Sequence, residues 1–297
     1  MGKLLWTERQ DIGPTARDES AMTYDATRQQ VTLFGGWKSG GGALNDTWVW
    51  DGQLWTQSQD IGPPARANHA LAFDSVRARI VLFGGIVGDP FLPKSPTFAD
   101  TWEWDGTEWT QTADTGPSAR GAHALTFDSK NKRVVLFGGQ SSNIQVGDTW
   151  SWDGVEWTQE DETGPAARFF HAMAYDAIRN RVVLFGGFGT VNDTWEWDGS
   201  HWSQVADTGP AARYGHGMVF DGTRVLLFGG ATRSSYFGDT WSWDGKHWTQ
   251  TQDIGPAPRI FAAMGYDSDR SRTVLFGGSN PARTTFLGDT WELYDHS

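Results

Sequence analysis

Six times along 297 residues the chain repeats one phrase. An apolar stretch ends in Leu-Phe-Gly-Gly at residues 33–36, 82–85, 136–139, 184–187, 227–230 and 275–278, and an Asp-Thr-Trp follows each copy. The copies are spaced by 43 to 54 residues, and they run the length of the chain with no change of composition. A unit of that size cannot bury its own apolar face, so like units must pack on one another. One closed domain over residues 1–297 is expected, with units starting near Arg17, Arg66, Arg120, Arg168, Arg213 and Arg259.

Within a unit the pattern is that of short strands. In the second copy, residues 67–73 alternate small and larger side chains, and Ile80-Val81-Leu82-Phe83 is continuously apolar; Thr101-Trp102-Glu103-Trp104 and Trp109-Thr110-Gln111 then follow. Asp105-Gly106 lies between the last two, a pair suited to a two-residue hairpin turn, and it recurs at Asp51-Gly52, Asp153-Gly154, Asp198-Gly199 and Asp244-Gly245. No long segment carries a helical period. Four antiparallel strands per unit, six times over, predict an all-β, six-bladed propeller around a central channel. The last unit, 259–293, has three strands, whereas residues 4–10 form a fourth strand with no blade of its own. The N-terminal strand is therefore expected to complete the C-terminal blade and remove two free sheet edges.

The glycine doublet closing an apolar strand, followed by an aromatic and a Trp a few residues apart, resembles the kelch repeat in all six copies. Kelch repeats usually place Tyr before the last turn, where this chain has Trp50, Trp104, Trp152, Trp197 and Trp243. The resemblance implies the same propeller fold. It also implies that ligands are met by residues directly after the doublet and after the repeated Arg. Kelch-like propellers include a copper radical oxidase, a sugar epimerase and iron-dependent specifier proteins. The oxidase cofactor needs a Cys cross-linked to Tyr, and this chain has no Cys. The specifiers carry an ordered Glu/Asp/His cluster on one loop, and no such spacing is present.

Composition narrows the partners. A net charge of −12, from 36 acidic and 24 basic residues, argues against nucleic acid and against anionic membranes. No stretch approaches the roughly 20 apolar residues of a spanning helix. Without Cys there are no disulfides, thiolate metal sites or cysteine nucleophiles. Asn45-Asp46-Thr47 and Asn192-Asp193-Thr194 share one repeat position and read as repeat copies, not glycosylation sites. A soluble monomer is expected.

Most conspicuous residues belong to the repeat. Of 18 Trp, six lie in Asp-Thr-Trp, five lie two residues later, and six begin fourth strands; only Trp37 is left over. The segment Asp-x-Gly-Pro-x-x-Arg, with Glu for Asp in one copy, ends at Arg17 and its five counterparts. These arginines pin loops to a neighbouring carboxylate or carbonyl, or else read an anion. His69, His123, His171 and His216 share one position on four first strands, where Ser20 and Ala263 stand in the other two. They read as buried partners between blades, with a metal site as the alternative and no cofactor expected.

What remains lies on one face. Between the doublet and the next Asp the copies have 9, 14, 8, 5, 8 and 10 residues, whereas the fourth-strand Trp and the next Arg are always 11 apart. Length variation confined to one connection marks adaptable loops on a rigid scaffold. Directly after Arg17 come Asp18-Glu19, where the other blades have Ala67-Asn68, Gly121-Ala122, Phe169-Phe170, Tyr214-Gly215 and Ile260-Phe261. Trp37, Ile86, Gln140, Phe188, Ala231 and Ser279 follow the doublets. The candidate ligand-binding residues are thus Arg17, Asp18, Glu19, Trp37, Asn68, Phe169, Phe188, Tyr214 and Phe261. Aromatics facing carboxylates suit a glycan or a cationic protein segment. Adjacent strand residues point to opposite faces, so Asp18 and Glu19 are not expected to serve one reacting bond together. The reading is a non-catalytic binding scaffold, with a carbohydrate-active enzyme, epimerase-like or metal-dependent, as the alternative at the same mouth. The loop 86–99, with Pro90, Pro93 and Pro96, is expected to be rigid and either to wall the mouth or to pack on the next blade.

Overall fold

The computed structural model describes residues 3–9, 12–88, 96–142, 144–160, 163–189, 191–252, 254–280 and 282–296. Among these, every regular element is a β-strand; six four-stranded antiparallel blades hold all but three two-residue strands, Arg17–Asp18 added to blade 1 and the small hairpin of Gln140–Ser141 with Ile144–Gln145. Blade 2 is representative: Ala70–Asp74, Arg79–Phe83, Thr101–Trp104 and Trp109–Ala113 pair in sequence order. The first strands line the axial channel, whose wider part has a volume of about 290 Å³.

Strand burial follows from position. The second strand lies between neighbouring blades on both faces, so Ile80, Val81, Leu82 and Phe83 are all fully buried. The fourth strand is outermost and buries chiefly its leading Trp. Instead of one core there are six between blades, each shared by two neighbours, and a seventh cluster at one end of the channel around Phe169, Phe170 and Phe261. The cluster between blades 6 and 1, for example, joins Val274 and Phe276 to Val31, Leu33 and Trp50.

The repeat phrase encodes the joints between blades. Gly35 has φ +62°, and a Cβ there would stand 2.7 Å from the carbonyl oxygen of Arg66 in the next blade. That close approach lets the Gly36 N–H donate to the same oxygen at 3.0 Å. Every blade repeats the bond, ending with Gly278 to Arg17 at 2.8 Å, so it forms a closed ring. Farther out, the fourth-strand Trp donates its indole N–H to the Asp-Thr-Trp threonine of the preceding blade, as in Trp109 to Thr47 at 2.9 Å and Trp55 to Thr290 at 2.9 Å. The threonine and both glycines are thus fixed by contacts outside their own blade.

Ring closure follows the expected scheme. Lys3–Arg9 pairs with Thr290–His296 through an unbroken register from Lys3↔His296 to Arg9↔Thr290. Gln10 of the expected strand lies outside the described residues. The Asp-Gly turns differ from expectation: Trp104 pairs with Trp109, which leaves a four-residue loop. Asp105 Oδ1 accepts the N–H groups of Thr107 and Glu108 at 2.8 and 2.9 Å, so the Asp acts as the cap of a longer loop. Gly106, at φ +101°, lies beneath the Arg28 side chain of the preceding blade.

Candidate ligand-binding mouth

The residue two places after each repeated Arg is left-handed in all six blades: Glu19, Asn68, Ala122, Phe170, Gly215 and Phe261 have φ of 55° to 65°. That turn points each N–H along the ring toward the preceding blade. Asn68 donates to Glu19 O at 3.0 Å, Ala122 to Asn68 O at 2.8 Å, Phe170 to Ala122 O at 2.9 Å, Gly215 to Phe170 O at 3.0 Å, Phe261 to Gly215 O at 2.8 Å and Glu19 to Phe261 O at 3.1 Å. This closed collar of backbone hydrogen bonds frames the channel mouth on the face of the variable loops. Five of its residues are not glycine, so the collar carries strain that the bonds offset.

The arginine series lies behind the collar. Arg17 is fully buried and grips Asp46 with two parallel bonds of 2.6 and 2.8 Å, while its Nη1 also reaches Gly35 O and its Nε reaches Thr15 O. The other five arginines hold Asp100, Asp148, Asp193, Asp239 and Asp289 in the same way. Each Asp also accepts the indole N–H of the Trp two residues on, as Asp46 does from Trp48 at 2.7 Å. Arg17 is therefore spent on its loop and does not face the mouth.

Asp18 and Glu19 do meet, contrary to the strand-parity argument, because the left-handed Glu19 breaks the strand. One guanidinium reaches both: Arg283 Nη2 to Asp18 Oδ1 at 3.0 Å and Nη1 to Glu19 Oε1 at 2.9 Å. Ser279 adds a bond to Asp18 Oδ2 at 2.7 Å. Arg283 comes from the loop of blade 6, six residues before Asp289; its one counterpart is Arg233, six residues before Asp239 in blade 5, which lies over the Phe188 ring at 5.4 Å. Burial and the neighbouring Asp18 charge, against the pull of Arg283, push the Glu19 carboxyl up to about 8. Asp18 is also raised, by burial.

Blades 4 to 6 supply an aromatic wall that runs round the mouth from Phe169 and Phe188 to Phe261, whose ring centre lies 5.8 Å from the Arg283 guanidinium. Phe169 stacks on Phe188 at 5.0 Å, Phe188 meets Tyr214 edge-on at 5.1 Å, and Phe170 packs on Phe261 at 4.7 Å. Phe169, Phe170 and Phe261 are buried, whereas Phe188 and Tyr214 are partly exposed. The cluster is thus both packing and surface. Trp37 lies apart from it on blade 1, partly exposed, where its strand extends beyond the doublet to pair with Asp18 and Ala43.

Asn68 and the four histidines line a chamber of about 110 Å³ just inside the collar. Each imidazole meets the second-strand Phe of the preceding blade edge-on, as His69 meets Phe34 at 5.4 Å. Burial first, and then the neighbouring Arg120 or Arg213, lowers His123 and His216 to about 3; His69 and His171 are lowered for the same reasons. All four are neutral near pH 7. The residues completing this ring are Ser20 and Ala262; Ala263 is the next residue, on the strand itself. Among the described residues no three His, Asp or Glu converge closely enough to hold a metal ion. Residues 89–95 of the proline-rich loop, including Pro90 and Pro93, lie outside the described residues. Beside them, Phe98 packs under the Arg66 guanidinium at 4.0 Å.

Comparison with known proteins agrees with this architecture. A family model described as the KLHDC2/KLHL20/DRC7 Kelch-repeats domain matches residues 151–295. A solved structure titled "Structure of YjhT" is similar over 95% of this chain and 95% of that chain, with a TM-score of 0.75 and 14% sequence identity. No curated protein matches the chain. The six repeats, their four-stranded blades and these matches define a kelch-type six-bladed β-propeller. Such propellers serve generally as binding scaffolds. Among the described residues no helix is long and apolar enough to cross a membrane.

Proposed function

We infer that this propeller is a non-catalytic scaffold that binds a carbohydrate at the mouth of its channel. The observation that carries the reading is that two partly exposed rings, Phe188 and Tyr214, share the mouth with the polar corner of Asp18, Glu19, Asn68 and Arg283. Sugars present apolar ring faces to aromatics and hydroxyls to polar groups; the mouth offers the two rings and the partly exposed Arg283 guanidinium, with Asp18, Glu19 and Asn68 buried behind it. A cationic protein segment is the less fitting occupant. Arg283 already bridges the two carboxylates, 5.8 Å from the Phe261 ring centre, where an incoming cation would have to bind.

A glycan array run beside a peptide library tests the reading. Wild type is expected to retain glycans, and the double change Phe188→Ala, Tyr214→Ala to weaken them by about tenfold or more, one to two aromatic contacts' worth of free energy. Binding that survives both that variant and Trp37→Ala, or binding confined to peptides, overturns it.

The raised Glu19 carboxyl favours one second reading, a carbohydrate-active enzyme in which Glu19 is the general acid. Turnover of a retained glycan, abolished by Glu19→Gln with binding intact, would decide for it.

A further inference from the structure

Buried polar side chains without hydrogen-bond partners are rare, and here most of them gather in one place. Ser20 Oγ, Asn68 Nδ2 and both ring nitrogens of His69, His123, His171 and His216 are buried with no partner in close bonding geometry, each imidazole having only a looser approach to the backbone of the preceding blade's second-strand Phe; these six residues line the chamber inside the collar together with Glu19, whose buried carboxylate has only its ion pair with Arg283. Asn68 and the histidines are 5 to 7% exposed.

Their chemistry selects a ligand class. A neutral imidazole offers one N–H and one lone pair, a serine hydroxyl offers both, and Asn68 adds an amide donor. An anion would use only the donors, and a metal ion only the lone pairs. Hydroxyl groups, which donate and accept at once, satisfy the mixed set. Size adds a second constraint. About 110 Å³, at 10–15 Å³ for each water-sized group, takes several such groups and not a whole sugar with its substituents.

The two halves of the collar are filled by side chains of different size. Phe261 folds over Gly215 onto Phe170, and a Cβ on Gly215 would stand 2.8 Å from the Phe261 ring. That half of the ring is closed. On the other half stand Asn68 and the small Ala122.

We propose that the chamber is a subsite for a short polyol arm, which enters past Asn68 and Ala122 and exchanges hydrogen bonds with the four imidazoles and Ser20. The proposal rests on the reading of the mouth as a carbohydrate site and specifies which carbohydrates it takes: those carrying an exocyclic hydroxylated chain of about three or four carbons.

The test is the Cε1–H NMR signals of the four histidines during titration with erythritol and with sorbitol. Saturable shifts of these signals in wild type are expected. Ala122→Phe places at this position the residue that blade 4 carries there at the same φ, so it plugs the entrance with the collar bonds in place; apparent affinity is expected to fall at least tenfold. Asn68→Leu, which keeps side-chain size and removes the amide, is the second variant and should weaken binding severalfold. A methyl xyloside, which lacks the arm, should bind the mouth equally in wild type and Ala122→Phe. Absence of histidine shifts with both polyols, or shifts unchanged by both variants, overturns the subsite. Polyol shifts in a protein that retains no glycan would sink the mouth reading and leave the subsite standing; glycan binding without polyol shifts would do the reverse.

Discussion

The indole nitrogen of Trp6 donates to the hydroxyl of Thr240 at 3.0 Å, across 234 residues of sequence. The same bond recurs between every pair of neighbouring blades, but here it seats the first strand of the chain in the last blade. Trp6 also packs on Phe228 at 5.1 Å, and Arg9 reaches Glu292 at 2.8 Å. Removing residues 1–10 deletes an entire outer strand and exposes the edge of Thr290–His296. A fall in melting temperature of more than about 10 °C is expected, since several kcal/mol are lost and each is worth roughly 2–4 °C at this size. Sedimentation should show association through the bared edge. Thr240→Val, which loses one hydrogen bond, should cost only about 1 kcal/mol. An unchanged melting temperature in the truncated protein would disprove the closure scheme.

The six Arg–Asp clamps are structural, and their removal should be costly in any blade. Arg168 is 3% exposed in its side chain and holds Asp193 through bonds of 2.7 and 2.9 Å. Asp193→Asn leaves a buried guanidinium without its counter-charge, for which about 3 kcal/mol of destabilisation is expected in urea unfolding. Asp46→Asn in blade 1 should cost about the same, and the double variant the sum, because the two clamps share no partner. A loss below about 0.5 kcal/mol for either single change would show that the clamps hold nothing.

Much of this architecture was legible because the repeat states it six times. Each strand, the closure and the scaffold roles of Trp and Arg are read by subtracting one copy from another. The mouth was legible only in part. Asp18, Glu19 and the aromatic positions stand out as departures from the repeat, but Arg283, which joins the two carboxylates, lies 265 residues from Asp18 in a loop of variable length, where only blade 5 has an equivalent, Arg233. The collar left no trace in composition either, since Glu, Asn, Ala, Phe, Gly and Phe occupy its six left-handed positions. Its requirement is on backbone shape and is met by neighbouring blades, not by residue choice. The Asp-Gly pairs misled for a related reason. Their glycine serves a longer, Asp-capped loop and the close approach of an Arg, or Asn131 at Gly199, from the preceding blade.

Two tryptophans of blade 1 should separate stability from binding. Trp50 is 1% exposed and packs on Trp55 at 5.6 Å, within the core shared with blade 6. Trp50→Ala is expected to cost about 3–5 kcal/mol. Trp37 is partly exposed beside the mouth, and Trp37→Ala should cost less than about 1 kcal/mol. Calorimetry of both variants checks the contrast. Equal losses would mean that Trp37 is another core residue and has no place in the site.

Stability should respond to pH in two opposed ways. The histidines are held neutral, His123 and His216 at about 3, so the unfolded chain binds more protons between that value and the ordinary 6.5. Their contribution is complete above pH 6.5 and is lost as pH falls toward 3. The six clamped Asp act in the same direction at lower pH: burial raises them, but the Arg and Trp bonds outweigh it and hold each below the ordinary value. Glu19 runs the other way. With its carboxyl raised to about 8, the folded state binds the extra proton, and stability falls as pH rises from 4.5 through 8. The ranges overlap, and because four histidines outweigh one carboxyl until their gain is nearly complete, the melting temperature should peak near pH 6 to 7. Glu19→Gln removes the alkaline arm, so its melting temperature should gain on wild type as pH is raised from 5 to 8.5. His123→Gln should flatten the acid arm and leave the alkaline one untouched. Parallel curves for wild type and Glu19→Gln across this range would show that Glu19 ionises freely, and with that the polar corner of the mouth would lose its buried character.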